Sequence, residues 1–293
     1  MLPEFDLWMP RTLPQALDLL AEAGPEVTPV AGGTNLIVDM RAERHCPKVL
    51  MDIAGLPELH GIRRENGHMV AGGGTTLAEL LHNPLIAQHA SVLRDAASVF
   101  ANPLTRNRAS LGGNLADASP AADTAPPLLA LNAEVELVSK AGSRCIALED
   151  FLVGVRKTLL HPGELLAAVR WPMPPNHSAG AFYKLGLRKA DAISVVSVAV
   201  VVEGDKDGRC RSARIALGAV APRPIRAHAA EEALAGQTLT PALIAEAARL
   251  ASESTRPIDD IRGSAAYRRR VTGVIVRRLL TEVAGRVANG REG

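Results

Sequence analysis

The chain is 293 residues long, 47% hydrophobic and only 3% aromatic, with a formal net charge of +2. That length supplies two or three domains with ample core, and the near-neutral charge excludes nucleic acid as the main partner, because phosphate binding needs a concentrated basic surface. Three cysteines, Cys46, Cys145 and Cys210, form no C-x-x-C pair; this excludes a disulfide framework and a self-contained iron–sulfur cluster and fits a reducing compartment.

Residues 1–55 read as a small α/β unit. The opening Met1-Leu2-Pro3-Glu4-Phe5-Asp6 carries acids and no basic n-region, so no signal peptide is expected. Thr12 and Gln15 have capping-box spacing, and Leu13, Ala16, Leu17, Leu20 and Ala21 share one helical face before Gly24-Pro25 stops the helix. Residues 27–31 predict a strand, 36–41 a short helix and 48–53 a second strand. From Gly61 to Pro172 a second unit follows. A strand at 68–71 leads through Gly72-Gly73-Gly74-Thr75-Thr76 into a helix, with Thr76 and Glu79 repeating the capping-box spacing. Residues 85–99 are amphipathic at helical period, 124–131 are apolar, 134–139 alternate as a strand, 147–151 close on a turn, and 164–171 predict a further strand.

The Pro172-Met173-Pro174-Pro175 cluster marks a domain boundary, dividing 1–175 (subdomains about 1–55 and 56–175) from 176–293. Beyond it, 181–187, 194–203 and 210–220 predict a three-stranded antiparallel sheet, with 204–208 as a hairpin turn. Helices are predicted at 227–235, 241–253 and 264–284, the last packing through Tyr267, Val271, Val274, Ile275 and Leu279. The fold class expected is α+β. The apolar run 195–202 is long enough only for a buried strand, no run reaches membrane length, and a cytoplasmic location is expected. Arg256, Arg262, Arg268, Arg269, Arg270, Arg277 and Arg278 cluster toward the C-terminus and read as a solvated helix face with ion pairs. His60, His68, His82, His89 and His161 are scattered without metal-ligand spacing, and no Ser-His-Asp arrangement is legible.

Two glycine turns about 80 residues apart carry the functional signal. The first is Val30-Ala31-Gly32-Gly33-Thr34-Asn35-Leu36. The second is Ser110-Leu111-Gly112-Gly113-Asn114, continued through Asp117 to Ala118-Ser119-Pro120-Ala121-Ala122-Asp123. Glycines without Cβ let backbone N–H groups close around an anion, and neutral Thr, Ser and Asn add donors where an acid would repel it. Neither turn, nor Gly72-Gly73-Gly74, has the G-x-G-x-x-G register of a Rossmann site, and no G-x-x-x-x-G-K-[ST] occurs. An ordinary tight turn is the alternative for either one alone; two together fit a dinucleotide clasp.

These two turns, with Gly73-Gly74-Thr75-Thr76-Leu77-Ala78-Glu79-Leu80 and Ser264-Ala265-Ala266-Tyr267-Arg268-Arg269, resemble the FAD-binding medium subunit of molybdenum hydroxylases. That family includes bacterial xanthine dehydrogenases, carbon monoxide dehydrogenase, nicotinate and quinoline oxidoreductases and 4-hydroxybenzoyl-CoA reductase. The resemblance covers essentially the whole chain. It implies a vanillyl-alcohol-oxidase-type FAD domain of two α/β subdomains, followed by an α+β C-terminal domain. It further implies that Val30 to Leu36 wrap the diphosphate, that Ser110, Gly113 and Asn114 close the other side, and that Thr76 and Asp117 belong to the cofactor contacts. Asp123 would hold the ribose or ribityl region, Phe100 would lie next to the flavin ring and Leu166 near the isoalloxazine. Lys184 would hydrogen-bond the flavin and favour its anionic reduced form. Read without the family, Lys184 has a surface-strand alternative, and Phe100 and Leu166 have core-packing ones.

Where flavin is attached covalently in this fold, the link is often a histidine beside the first glycine pair; Thr34-Asn35 stands there, so noncovalent FAD is expected. The same residues make the carbon monoxide dehydrogenase subtype less expected, since it favours His-Ser at that place. Three scattered cysteines cannot supply the extra cluster loop of hydroxybenzoyl-CoA reductases. The implied role is electron relay from a molybdopterin-binding large subunit and a small subunit with two [2Fe–2S] clusters, in a dimer of heterotrimers, to an external acceptor. The competing readings are a stand-alone flavin oxidoreductase of the same fold and a flavin-free scaffold subunit.

Overall fold

A computed structural model describes residues 2–205 and 209–288. Its strands are β1 (Asp6–Trp8), β2 (Val27–Val30), β3 (Val49–Asp52), β4 (Ile62–Glu65), β5 (His68–Gly72), β6 (Glu134–Ser139), β7 (Gly142–Ala147), β8 (Leu152–Gly154), β9 (Lys157–Thr158), β10 (Leu165–Pro172), β11 (Ser178–Leu185), β12 (Val196–Gly204), β13 (Cys210–Gly218) and β14 (Ile225–Arg226).

The first sheet is parallel, in the order β1-β3-β2. Parallel strands need a crossover, and the helix Leu13–Ala23 supplies one. Thr12 accepts from the Gln15 N–H at 3.3 Å, while the Gln15 side chain reaches past the cap to the Arg11 N–H at 2.8 Å. Ala16 and Leu20 of that helix join Val27, Met51, Leu56 and Leu59 in a small core. Gly24, at φ 60°, ends the helix in a conformation glycine adopts without strain.

The second sheet is antiparallel, in the order β4-β5-β10-β6-β7. Its inner face is covered by short helices, including Leu77–His82, Leu111–Ala116 and Ala125–Ala130. The Thr76 capping box forms in full, with Glu79 Oε2 accepting from the Thr76 N–H at 2.6 Å and Thr76 Oγ1 accepting from the Glu79 N–H at 3.1 Å. The helical stretch expected at 85–99 is broken in two, Pro84–His89 and Ser91–Ser98, because Ala90 leaves helical geometry at φ −150° and ψ 48°. Periodicity survives such a break and so cannot reveal it.

The third sheet runs β11-β12-β13-β14, fully antiparallel; a two-residue strand, Ile225–Arg226, is added to the three expected. The expected turn at 204–208 lies partly outside the described residues. Strand β12 is buried on both sides, which explains its unbroken valine run. Val196, Val198, Val200 and Val202 face a core made with the helices His228–Leu234, Pro241–Glu253 and Ala265–Ala288. Ala199 and Val201 point the other way, into the core of the second sheet's helices, as period-two alternation requires. Each valine so enclosed contributes about 1.5–3 kcal/mol over an exposed one. The C-terminal sheet is therefore welded to the preceding part of the chain through Ser91–Ser98 and Ala125–Ala130.

The long helix packs on a face that shares three of the five expected residues and is rotated away from the other two. Val271, Ile275 and Leu279 do face the core, but Tyr267 and Val274 are exposed, and Arg268 is 3% exposed. Arg268 takes the inner position because its guanidinium satisfies buried acceptors there: Ala219 O at 2.9 Å, Val195 O at 3.2 Å and Asp260 Oδ1 at 2.5 Å. Tyr267 instead lies beneath the exposed Arg270. Among the described residues, no helix is long and apolar enough to cross a membrane.

Candidate functional site

Two adjoining cavities open between the first and second sheets. The larger, about 710 Å³, is lined by Val30, Ala31, Gly32, Gly33, Thr34, Asn35 and Leu36 on one wall and by Phe100, Ser110, Gly113, Asn114 and Asp117 on the other. The smaller, about 360 Å³, shares Ala31, Ser110 and Gly113 with it and continues to Gly73, Gly74 and Leu166. The two glycine turns read from the sequence thus face one cleft.

Their approach depends on missing side chains. A Cβ on Gly32 would fall 1.9 Å from the Arg108 carbonyl oxygen, so only glycine lets the first turn rest on the segment leading into the second. The Gly112 N–H donates to Gly73 O at 2.7 Å, and a Cβ on Gly73 would lie 2.1 Å from Leu166 O. The middle glycine run, which fails the Rossmann register, is therefore the floor on which the second turn sits.

The turns differ in what they offer. At the first, Gly33 has φ +68°, and among the described residues the backbone N–H groups of Gly32, Gly33, Thr34 and Asn35 find no acceptor. Consecutive unpaired N–H groups around a left-handed residue form an anion-binding nest. At the second, the Leu111, Gly112 and Gly113 N–H groups are already bonded to Thr75 O, Gly73 O and Ser110 Oγ. What remains there is side-chain chemistry. Asn114 Oδ1 accepts from Thr124 Oγ1 at 2.6 Å, which leaves its Nδ2 as a donor, and the Ser110 hydroxyl proton is free to turn outward.

Carboxylates near this nest are tied up. Asp117 accepts from Asn35 Nδ2 at 2.9 Å. Asp39, on the helix Leu36–Arg41, is bonded by Arg156 at 2.5 Å and Arg44 at 2.7 Å, and the Arg156 hydrogen bond holds its carboxyl below the ordinary range. Glu164, lining the smaller cavity, is likewise held low by Arg144, 2.7 Å away. The donor set of the cleft fits a dinucleotide diphosphate: a backbone nest, neutral side-chain donors and acids that are already paired.

Phe100 and Leu166 line the two adjoining cavities, Phe100 the larger and Leu166 the smaller, while other expected residues lie elsewhere. Thr76 lines neither, because its hydroxyl is spent in the helix cap, donating to Glu79 Oε2 at 2.8 Å. Asp123 and Lys184 also line neither. They form a buried pair at 2.6 Å, and Ser194 Oγ donates to the second Asp123 oxygen at 2.7 Å. Burial raises the Asp123 carboxyl above the ordinary range, with Lys184 and Ser194 opposing.

Sequence reasoning missed Asp39, Arg156 and Ser194. A lone acid inside the apolar run Leu36-Ile37-Val38-Asp39-Met40 was the available sign that a buried carboxylate needed a cation. Nothing local marks Arg156 as that cation, 117 residues away. Among the described residues, no His, Cys, Asp and Glu group could hold a metal ion.

Residues 3–174 match the description "FAD binding domain in molybdopterin dehydrogenase", and residues 181–283 match "CO dehydrogenase flavoprotein C-terminal domain". The chain is 33% identical to the carbon monoxide dehydrogenase medium chain of Afipia carboxidovorans, over 97% of this chain and 98% of the relative. It is 34% identical to the 6-hydroxypseudooxynicotine dehydrogenase complex subunit alpha of Paenarthrobacter nicotinovorans, over 99% and 98%. A solved carbon monoxide dehydrogenase from Hydrogenophaga pseudoflava, lacking the Mo-pyranopterin moiety, superposes with a TM-score of 0.94 at 32% identity, covering 98% of this chain and 99% of that one.

Proposed function

The chain belongs to the family of FAD-binding subunits of the molybdenum hydroxylases, and from that premise we propose that it is the FAD-containing electron-transfer subunit of such an oxidoreductase. The observation that carries this reading is the nest of unpaired N–H groups at Gly32 to Asn35, facing Ser110 and Asn114 across one cleft. FAD, when bound, supplies one- and two-electron redox chemistry. The chain's own residues bind and orient it.

Val30, Ala31, Gly32, Gly33, Thr34, Asn35 and Leu36 wrap the diphosphate. Ser110, Gly113 and Asn114 close over it, with Asp117 at the rim. Phe100 is assigned to the flavin end of the cleft. Leu166 lines the adjoining cavity and is assigned to the part of the cofactor that reaches it. Thr76 supports the site through the helix it caps, and Asp123 and Lys184 contribute as a pair behind the cleft. Thr34-Asn35 offers no imidazole for a covalent link, so the flavin is held noncovalently; the same residues favour a substrate other than carbon monoxide.

Residues 1–175 form the FAD-binding domain, with subdomains about 1–55 and 56–175, and residues 176–293 form the C-terminal domain. The partners are a molybdopterin-binding large subunit and a small subunit with two [2Fe–2S] clusters, assembled as a cytoplasmic dimer of heterotrimers that delivers electrons to an external acceptor. The relatives' names, "medium chain" and "subunit alpha" of a complex, support the subunit reading over a stand-alone oxidoreductase. The test is the visible spectrum of the purified chain before and after acid precipitation. Flavin absorbance that passes wholly into the supernatant is expected; a colourless protein, or flavin that stays in the pellet, would overturn the corresponding part of the reading.

A further inference from the structure

We propose that Arg156 is a positioning residue that holds the two glycine turns in register and neutralises Asp117 beside the diphosphate path; the proposal rests on the FAD reading above. Arg156 belongs to neither turn. It sits in the connection between β8 and β9, and its side chain reaches the wall of the larger cavity. There Nη1 bonds Asp39 Oδ2 at 2.5 Å, on the helix that follows the first turn, and lies 3.7 Å from Asp117 Oδ1, the C-cap of the helix Leu111–Ala116, whose first turn contains the second glycine pair. Asp117 in turn accepts from Asn35 at 2.9 Å. One guanidinium thus joins both turns, with a neutral bond running parallel to it.

The backbone is adapted to this placement. Arg156 has φ +52°, a left-handed conformation that costs an arginine energy and costs glycine none. Its N–H is anchored to Ala118 O at 3.0 Å, one residue beyond Asp117. Strain of this kind persists where the surrounding structure over-determines it, and it collects at ligand sites.

Charge balance gives the side chain its second task. The acids lining the larger cavity are Asp39, Asp117 and Asp191. Asp39 has Arg44 as another partner at 2.7 Å, and Asp191 has Arg188 at 4.0 Å. For Asp117, Arg156 is the one cationic partner among the described residues, Asn35 being neutral. Without Arg156, an uncompensated carboxylate stands beside the nest that must receive a dianionic diphosphate.

The test is FAD titration of the flavin-stripped full-length chain, followed by flavin fluorescence at low and moderate salt. Arg156→Gly removes the side chain while relieving the backbone, so lost affinity cannot be assigned to strain. It is expected to raise the FAD dissociation constant about tenfold or more. The double variant Arg156→Gly with Asp117→Asn keeps an acceptor for Asn35 and removes the stray charge, and is expected to recover the part of that loss due to charge while the part due to lost register remains. Equal affinity of Arg156→Gly and wild type overturns the proposal; a double variant as weak as the single one overturns the neutralising role, and a double variant as tight as wild type overturns the register-holding role. A wild-type chain with no FAD affinity overturns instead the reading on which the proposal rests.

Discussion

Lys184 and Asp123, 61 residues apart in sequence, meet through a 2.6 Å Nζ–Oδ2 contact in which both side chains are more than nine-tenths buried. Lys184 also donates to Val99 O at 3.3 Å, and Ser194 completes the carboxylate's shell. The pair ties β11 to the segment that follows the second glycine turn.

Removing one member strands the other. Lys184→Met leaves Asp123 buried without its cation, which is expected to cost about 3–5 kcal/mol of stability. The double variant Lys184→Met with Asp123→Asn has no orphaned charge and is expected to lose less than Lys184→Met alone. Urea denaturation of the three proteins checks this; a single variant within ~1 kcal/mol of wild type would show that the pair contributes nothing.

Acid sensitivity follows from the carboxylates held low in the cleft. Asp39 is depressed by Arg156 and Arg44, and Glu164 by Arg144. Between their depressed values and the ordinary ones, the unfolded chain binds more protons than the folded chain. Their contribution is therefore present in full above the ordinary values and lost as pH falls through the folded ones. Asp123, raised by burial, works in the opposite direction. The wild type is expected to lose stability from Asp39 and Glu164 below about pH 4.5, and Asp39→Asn is expected to flatten that slope. Denaturant midpoints measured from pH 6 to pH 3 decide it; identical slopes would remove Asp39 from the account.

The two glycines of the first turn are expected to differ in kind. Gly32→Ala drives a methyl to 1.9 Å from the Arg108 carbonyl, so the turns must separate, at about 1–3 kcal/mol or more and with loss of FAD affinity. Gly33→Ala meets side chains at 3.2 Å and 3.5 Å and chiefly bears the left-handed φ, about 1–2 kcal/mol. Thermal unfolding and FAD titration of the two variants separate the effects. Equal losses in both assays would contradict the close approach as the reason for Gly32.

What was legible in the chain and what was not divides by range. The helix Leu13–Ala23 announces itself through period and cap, and the buried strand β12 through its unbroken apolar run, because those signals lie within one element. The edge strands β4 and β7 are mostly polar on exposed surface, so no alternation marks them. The Tyr267 and Val274 expectation failed because a buried arginine captured the inner face through acceptors on distant strands. The glycine turns could be read, but not their unequal roles, since the second turn's donors are consumed by Gly73 and Thr75, residues of another loop. Asp39 with Arg156, and Asp123 with Ser194, are tertiary pairs that no local pattern encodes.

Asn114 offers the sharpest separation of fold from binding. Its Oδ1 accepts from Thr124 Oγ1 at 2.6 Å, and a carboxylate oxygen can accept the same bond. Asn114→Asp is nearly isosteric, so the stability of the flavin-free chain is expected to change by less than about 1 kcal/mol. In the cleft, however, the change replaces the Nδ2 donor with a negative charge facing the nest at Gly32 to Asn35. FAD affinity is expected to fall about tenfold or more, most strongly at low salt, where the added repulsion is least screened. Asn114→Ser, which keeps a small neutral donor, is expected to fall between the two. A flavin-free chain that unfolds early would make Asn114 a structural residue first. An Asp variant that binds FAD as tightly as wild type would mean that the diphosphate does not pass this side chain.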